Sequence, residues 1–182
     1  KVRRFVNAGA ASEIIFTRGT TEAINLVAHS FARRRVGPGD EILITAMEHH
    51  SNIVPWQMVC EETGAVLRVV PIFDDGELDL QACDRLIGPR TRLAAFTHAS
   101  NALGTINPVR EIVALAKGRN ILTIIDGAQA VGNIEIDVKA IGCDAYAAPG
   151  HKWLMAPKGT GFLYIRKEAA AQIQPVEWVD GA

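Results

Sequence analysis

Short apolar segments alternate with amphipathic helical patterns along most of this 182-residue chain. The apolar segments are residues 14–17, 41–45, 66–72, 92–98, 121–125, 144–148 and 161–165, and the helical patterns cover 20–35, 53–62, 78–87 and the residues from Pro108 onward. This alternation predicts parallel strands joined by right-handed crossovers, with helices on both faces of the sheet. The sequence therefore predicts an α/β fold of three αβα layers around a mainly parallel, seven-stranded sheet.

The last connection departs from this pattern. Pro149-Gly150 breaks the chain after the sixth strand, and the seventh strand, Gly161–Ile165, follows a short loop that contains Lys152. A parallel return needs about a dozen or more residues, usually a helix, and this loop has no room for one. We therefore expect the seventh strand to be antiparallel, with Lys152 at the carboxyl end of the sixth.

Polar side chains follow the carboxyl ends of the predicted parallel strands. They are Thr20, Thr21, His49, Asn101, Asp126, Gln129, His151 and Lys152. The carboxyl ends of parallel strands share one edge, and open α/β sheets bind their ligands in the crevice at that edge. The sequence therefore predicts a ligand site built from several separate loops.

The residues around Lys152 favour a chemical role for its amine. Trp153, Leu154 and Met155 follow it, and an amine among apolar side chains loses hydration, which lowers its pKa. A lysine with a lowered pKa attacks carbonyl compounds. We expect Lys152 to react with an aldehyde cofactor, although most lysines in proteins are solvated surface charges.

Two other features predict how the rest of such a cofactor is held. Thr20 and Thr21 begin a helix after a glycine, where free N–H groups favour a phosphate, although an ordinary threonine N-cap is the alternative. Asp126 ends a buried strand and needs a partner, unless it caps a helix over residues 127–131.

The adjacent His49 and His50 follow the second strand. Neighbouring residues diverge and no His-Glu-x-x-His spacing is present, so a metal site is poorly supported. An imidazole that stacks on a flat ring fits His49 better, and His50 is equally well explained as an exposed residue. Pyridoxal 5'-phosphate has a group that matches each of these features: a phosphate for the helix N-terminus, a flat ring for the imidazole, a ring nitrogen for the carboxylate and an aldehyde for the amine.

Five motifs also carry a family resemblance: residues 18–22 (RGTTE), 47–56 (MEHHSNIVPW), 98–104 (HASNALG), 126–130 (DGAQA) and 150–152 (GHK). With them the chain resembles the class V aminotransferase family, most closely its cysteine desulfurase and selenocysteine lyase group. The resemblance implies the large domain of a pyridoxal-phosphate-dependent transferase, with strand order 1-7-6-5-4-2-3.

The resemblance also implies a role for each site residue. Lys152 would bind the cofactor aldehyde, Asp126 the ring nitrogen and Gln129 the ring hydroxyl, and His49 would stack on the ring opposite Ala128. Thr20, Thr21 and His151 would hold the phosphate, and Asn101 would lie near the substrate carboxylate. Pro149 departs from the family, which usually has a small hydroxyl residue there; proline offers neither hydroxyl nor N–H.

The implied activity is a cysteine desulfurase that removes sulfur from L-cysteine, leaving L-alanine and an enzyme persulfide for iron–sulfur cluster assembly. The resemblance further implies a homodimer and a sulfur-acceptor protein. The alternatives are another class V enzyme (an aminotransferase, an epimerase, or a lyase of C–S or C–Se bonds) and a truncated, non-catalytic assembly domain.

Charge and cysteine content restrict the remaining possibilities. A net charge of −1 gives no basic surface for nucleic acid or an anionic membrane, and no apolar run is long enough to span a bilayer. Cys60, Cys83 and Cys143 form no Cys-x-x-Cys pair, which favours a reducing, cytoplasmic location. Cys60 and Cys83 lie on predicted helices and Cys143 opens a predicted strand, so we expect structural burial for each and a persulfide on none of them.

Both ends of the chain predict a piece of a longer protein, because Lys1 is not a start methionine and the last residues carry no structural signal. We expect residues 1–166 to form the cofactor-binding large domain. Residues 167–182 would begin the connection to a C-terminal domain, and that domain would carry the persulfide cysteine and an arginine for the substrate carboxylate. We expect this piece alone to be inactive.

Overall fold

Residues 1–173 are described by a computed structural model. Its strands are β1 (Ile14–Thr17), β2 (Glu41–Thr45), β3 (Val66–Val70), β4 (Thr91–Thr97), β5 (Leu122–Asp126), β6 (Ala145–Pro149) and β7 (Gly161–Ile165). Its helices are α1 (Val2–Phe5), α2 (Thr20–Val27), α3 (Arg33–Arg35), α4 (Val54–Thr63), α5 (Leu80–Leu86), α6 (Val109–Lys117), α7 (Val138–Ile141) and α8 (Lys167–Ala170). The predicted connecting segment starts with α8, and its residues 174–182 lie outside the described part.

All seven strands form one sheet in the order β1-β7-β6-β5-β4-β2-β3. Strand β7 is antiparallel to both of its neighbours, β1 and β6, whereas the other neighbouring pairs are parallel. Since β1 and β6 both oppose β7, they point the same way, and their carboxyl ends reach the same edge as those of β2, β4 and β5. The predicted strand number, order and antiparallel seventh strand are confirmed.

The helix predicted over residues 20–35 is continuous but not uniform. It runs from α2 through a π-helical turn, Ala28–Ala32, into α3. Other boundaries differ from prediction by a few residues, for local reasons. Strand β3 ends before Pro71, which has no N–H to donate to a ladder, and α5 begins after Asp79, whose carboxylate accepts the amide of Ala82 at 2.8 Å.

Apolar side chains pack on both faces of the sheet. In β4, Leu93 and Ala95 belong to one apolar layer, whereas Ala94 and Phe96 belong to the other, as the alternating faces of a strand require. Helices α2 and α4 cover the first layer, and α5, α6 and α7 cover the second. A leucine or phenylalanine fully buried in this way contributes about 1.5–3 kcal/mol, so both layers stabilise the sheet.

No helix in the described part of the chain has both the length and the apolar character needed to cross a bilayer.

At Gly161, backbone atoms from the ends of β1 and β6 approach β7 closely. This glycine is paired with Thr17 of β1 on one side and with Pro149 of β6 on the other. A Cβ atom placed on Gly161 would lie 2.7 Å from the Cα atom of Gly19 and 2.9 Å from the carbonyl oxygen of Ala148. Because these are backbone atoms, they cannot move aside as the end of a side chain can.

We therefore expect Gly161→Ala to lower the free energy of unfolding by about 1–3 kcal/mol, the usual cost of overpacking. The matched control is Gly118→Ala, because Gly118 has φ −65° and a Cβ atom there would meet no atom within 4 Å. Urea denaturation of the two variants measures the difference, and equal stabilities would show that the contact with Gly19 is not tight.

Candidate functional site

Loops at the carboxyl ends of five strands line a cavity of about 660 Å³. All nine side chains predicted for the site line it: Thr20, Thr21, His49, Asn101, Asp126, Ala128, Gln129, His151 and Lys152. The cavity is also lined by Arg18, Glu22, Asn25, Ser51, Thr97 and Ala99, which were not predicted as site residues. The structure thus brings together residues that lie more than a hundred positions apart in the chain.

The N-terminus of α2 contains a buried hydroxyl without a partner. Gly19 is the N-cap and no side chain caps this helix, so the alternative of an ordinary threonine N-cap is wrong. Thr20 is the first helical residue and is 6% exposed, and its Oγ1 atom has no hydrogen-bond partner among the described residues. An unpaired buried hydroxyl beside the free N–H groups of a helix N-terminus fits an anionic group in the cavity.

Asp126 is a buried carboxylate with a single donor. Asp126 ends β5 and is 2% exposed, and the amide of Ala128 is the only described group that donates to its carboxylate, at 2.8 Å. Residues 127–131 form a turn rather than a helix, so Asp126 is not a helix cap. Burial raises the pKa of Asp126, while the hydrogen bond from the Ala128 amide and the nearby Lys152 and His49 side chains oppose the rise.

Gly127 lets this turn pass against a buried aromatic ring. A Cβ atom on Gly127 would lie 2.0 Å from Cε1 of Tyr146, so only glycine leaves room for the ring. The backbone of Gly127 also donates to the carbonyl oxygen of Ala147 at 2.8 Å. These contacts fix the direction in which the chain leaves β5, and with it the position of Asp126.

His49 lies on a turn between β2 and α4. It is the N-cap of a 3-10 turn, His50–Asn52, and its Nδ1 atom accepts the amide of Ser51 at 3.2 Å and lies 2.9 Å from the Ser51 hydroxyl. Because Nδ1 is an acceptor here, a single ring proton belongs on Nε2. His50 meets His49 edge to face at 5.8 Å, and the described residues contain no group of three possible metal ligands.

Gln129 has a partner that sequence reasoning missed. The indole Nε1 of Trp153 donates to Gln129 Oε1 at 2.8 Å. An indole nitrogen can only donate, so this contact fixes the orientation of the Gln129 amide and leaves its NH2 group as the available donor. The sequence did contain a signal for this contact, because Trp153 directly follows Lys152 and so had to lie near the predicted site.

The predicted apolar surroundings of Lys152 are wrong. Lys152 is exposed, Trp153 is 50% exposed and Met155 is 90% exposed. Backbone bonds close the base of the loop, from Gly150 N to Thr160 O at 2.7 Å and from Ala156 N to Gly150 O at 2.9 Å. The loop therefore extends from the sheet edge, and no described residue packs over Met155 closely enough to bury it.

Glu48 is a buried residue of the site region that sequence reasoning missed. It is 8% exposed and accepts hydrogen bonds from Thr45 Oγ1 (2.5 Å), Asn52 Nδ2 (2.6 Å) and Thr97 N (2.9 Å). Burial raises its pKa to about 7, against the effect of these bonds, and the nearby charge of Asp126 adds to the rise. An acidic residue directly before His49 was the only sequence signal for it.

His98 follows β4 but does not line the cavity. It is 7% exposed, and its Nδ1 atom lies 2.8 Å from the Tyr146 hydroxyl. Burial lowers the pKa of His98 to about 4 and raises that of Tyr146 well above its usual value. The phenol therefore donates and the neutral imidazole accepts, which joins the chain after β4 to β6.

This pair predicts a pH dependence of stability. The unfolded His98, with a pKa of 6.5, binds a proton that the folded residue does not bind until about pH 4. Stability due to this residue is therefore present above pH 6.5 and is lost as the pH falls toward 4, by on the order of 3 kcal/mol.

The measurement is the free energy of unfolding of wild type and of His98→Gln between pH 7 and pH 4. The oxygen of the introduced amide can still accept the Tyr146 proton, but the amide does not titrate. The variant should lose less stability across this range, and parallel curves would contradict the prediction. Glu48 has the opposite effect on stability, because its pKa is raised in the folded protein and it gains stability as the pH falls. Glu48 is present in both proteins, so its effect cancels when their free energies of unfolding are compared.

Comparisons with known proteins agree with this geometry. A family model described as aminotransferase class-V matches residues 1–180. The chain is 54% identical over 177 residues to a cysteine desulfurase of Serratia proteamaculans (strain 568), which covers 97% of this chain and 43% of that relative. The chain thus spans less than half the length of the curated relative.

Two solved structures are similar to all or nearly all of this chain. The cysteine desulfurase CsdA of Escherichia coli matches with a TM-score of 0.93 and 37% identity, over 100% of this chain and 45% of that one. A mutant of C-DES with glycine covalently linked to its PLP cofactor matches with a TM-score of 0.88 and 27% identity, over 96% of this chain and 46% of that one.

Proposed function

Because this chain belongs to the aminotransferase class-V family, we propose that it is the cofactor-binding part of a pyridoxal-phosphate-dependent cysteine desulfurase. One observation carries the proposal: the Lys152 amine, the buried Asp126 carboxylate and the unpaired Thr20 hydroxyl line one cavity. These three groups suit the aldehyde, the ring nitrogen and the phosphate of one small molecule. Similarity to proteins named cysteine desulfurase supports the reaction type.

The phosphate would lie at the N-terminus of α2. Thr20 and Thr21 offer hydroxyls and backbone N–H groups there, and His151 lines the cavity close by, its ring 3.9 Å from a Cβ atom placed on Gly19. Pro149 also lines the cavity but can donate neither a hydroxyl nor an N–H. We therefore assign Thr20 a large share of the phosphate binding.

The ring would lie between His49 and Ala128. The Asp126 carboxylate would accept a hydrogen bond from the protonated ring nitrogen, and this cationic partner would compensate for the cost of burying the carboxylate. The Gln129 NH2 group is available for the ring hydroxyl because Trp153 already occupies its oxygen. Burial raises the pKa of Asp126, and a protonated ring nitrogen beside it would lower that pKa again.

Bound pyridoxal phosphate would supply an aldehyde that condenses with an amine, with loss of water, and a ring that withdraws electrons from the substrate. Lys152 Nζ would hold the aldehyde carbon and, when it is not linked to that carbon, would take a proton from the substrate. Its exposed loop leaves the amine accessible from the cavity mouth. Asn101 would lie near the substrate carboxylate.

The proposed substrate is L-cysteine and the proposed products are L-alanine and a persulfide. The three cysteines of this chain are poor persulfide sites, because burial raises the pKa of Cys60 and Cys83 to about 11 and that of Cys143 further. We therefore assign the persulfide cysteine, and an arginine for the substrate carboxylate, to the part of the relatives' length that this chain does not span. A cytoplasmic homodimer that passes sulfur to an acceptor protein for iron–sulfur cluster assembly completes the proposal.

We expect borohydride to fix added pyridoxal phosphate covalently on Lys152, detected as a phosphopyridoxyl mass on the peptide that contains it. The matched control is Lys158→Ala, which removes an exposed lysine of the same loop and should label like wild type. The variant Lys152→Ala should lose the label. Equal labelling of Lys152→Ala and wild type would mean that the cofactor is not bound where we propose.

The reaction has a separate test. The full-length protein that carries this chain should release alanine from L-cysteine in the presence of a thiol, whereas the isolated chain should not. Labelling at Lys152 without any alanine from the full-length protein would keep the cofactor site and reject the substrate.

We expect Thr20→Val to weaken pyridoxal phosphate binding about tenfold or more, because a hydrogen bond to a charged group contributes about 1.5–3 kcal/mol. The cofactor-free protein should not lose stability, since the hydroxyl has no partner there among the described residues. Equilibrium dialysis and urea denaturation measure the two effects. Thr20→Ser keeps the hydroxyl and is the control; if it binds no better than Thr20→Val, the hydroxyl is not a phosphate ligand.

A further inference from the structure

The Glu48 carboxylate joins three separate segments beside the cavity. Its Oε1 atom accepts from Thr45 Oγ1 at the end of β2 and from the backbone N–H of Thr97 at the end of β4. Its Oε2 atom accepts from the Nδ2 atom of Asn52, in the turn that precedes α4. All of the side chains involved are buried, so these hydrogen bonds are shielded from water.

These bonds have a fixed direction. Trp56 is fully buried on α4, and its indole Nε1 donates to Asn52 Oδ1 at 3.0 Å. An indole nitrogen cannot accept, so the Asn52 oxygen must face Trp56 and its NH2 group must face Glu48. The backbone N–H of Thr97 can likewise only donate. Residue 48 therefore needs acceptors at both of its terminal atoms, which a carboxylate supplies and an amide does not.

Each segment that Glu48 holds contributes to the cavity wall. His49 is the next residue in the chain, and Thr97 and Ala99 line the cavity from the end of β4. Thr97 is also the neighbour of Asp126 in the sheet, and the amide of His98 donates to the Asp126 carbonyl oxygen at 2.9 Å. A shift of Glu48 would thus move His49 relative to Asp126.

We propose that Glu48 is a positioning residue, whose buried carboxylate ties the ends of β2 and β4 together and so fixes the His49 ring in the cavity wall. Glu48 does not line the cavity itself, and it acts through His49. The effect of Glu48 on cofactor binding rests on the proposed function, whereas the effect of Glu48 on the His49 ring does not.

The structure provides a variant that breaks this arrangement and a second that repairs it. Glu48→Gln keeps the shape but places an NH2 group against either Asn52 or the Thr97 amide, so two donors face each other. The double variant Glu48→Gln/Asn52→Asp reverses one bond. The introduced amide at position 48 then donates to the introduced carboxylate at position 52, which still accepts from Trp56, and the amide oxygen at position 48 still accepts from Thr45 and Thr97. Glu61→Gln, on the exposed face of α4, is the control for loss of a carboxylate.

Two quantities are measured on each protein under conditions where circular dichroism shows it folded. The first is the NMR shift of the His49 ring protons without cofactor, assigned by their loss in His49→Gln. The second is the dissociation constant of pyridoxal phosphate. Glu48→Gln should shift the His49 resonances and weaken binding about tenfold, the double variant should restore both, and Glu61→Gln should change neither.

Other outcomes overturn the proposal. If Glu48→Gln loses stability but keeps wild-type His49 resonances and affinity, Glu48 only stabilises the fold. If Glu48→Gln does not fold, the double variant decides alone: wild-type His49 resonances support the proposal, and shifted resonances or failure to fold reject it. If no protein binds pyridoxal phosphate but the His49 resonances shift and recover as stated, the proposed function fails and the role of Glu48 stands.

Discussion

The pairing of one glycine with two strands determines where the cavity can form. Gly161 of β7 pairs with Thr17 of β1 and with Pro149 of β6, so the chain leaving β1 and the chain leaving β6 begin on either side of this glycine. The first leads at once to Thr20 and the second to Lys152. Two groups that are distant in sequence therefore line one cavity, and the close approach of Gly19 to β7 requires that residue 161 have no side chain.

The carboxylate side and the lysine side of the cavity are held in place differently. Asp126, Glu48 and Thr97 are buried and bonded to the sheet or to the turns that end it. Lys152 instead lies on an exposed loop, closed at its base by backbone bonds of Gly150. The Asp126 carboxylate in the wall and the Glu48 carboxylate behind it are thus held in a low-dielectric region, where charge interactions are strong, while the amine stays within reach of solvent.

Much of this architecture was predictable because it depends on local patterns. The strands followed from short apolar runs, the antiparallel β7 from a connection too short for a helix, and the strand order from the family motifs. The exposure of Lys152 was not predictable in this way, since it depends on what packs over a loop and not on the apolar character of its neighbours in sequence. Glu48 was not predicted because its partners, Thr45, Asn52 and Thr97, come from three segments that only the fold brings together.

The directed hydrogen bonds from Trp56 through Asn52 to Glu48 also constrain which residues can occupy positions 48 and 52. A single change of acid to amide at position 48 creates two opposed donors, whereas a single change of amide to acid at position 52 creates two opposed acceptors. Each single change therefore leaves one buried contact mismatched, whereas the exchanged pair satisfies every partner. The identities of residues 48 and 52 are therefore coupled: a change at one position satisfies all of the buried partners only when the matching change is made at the other.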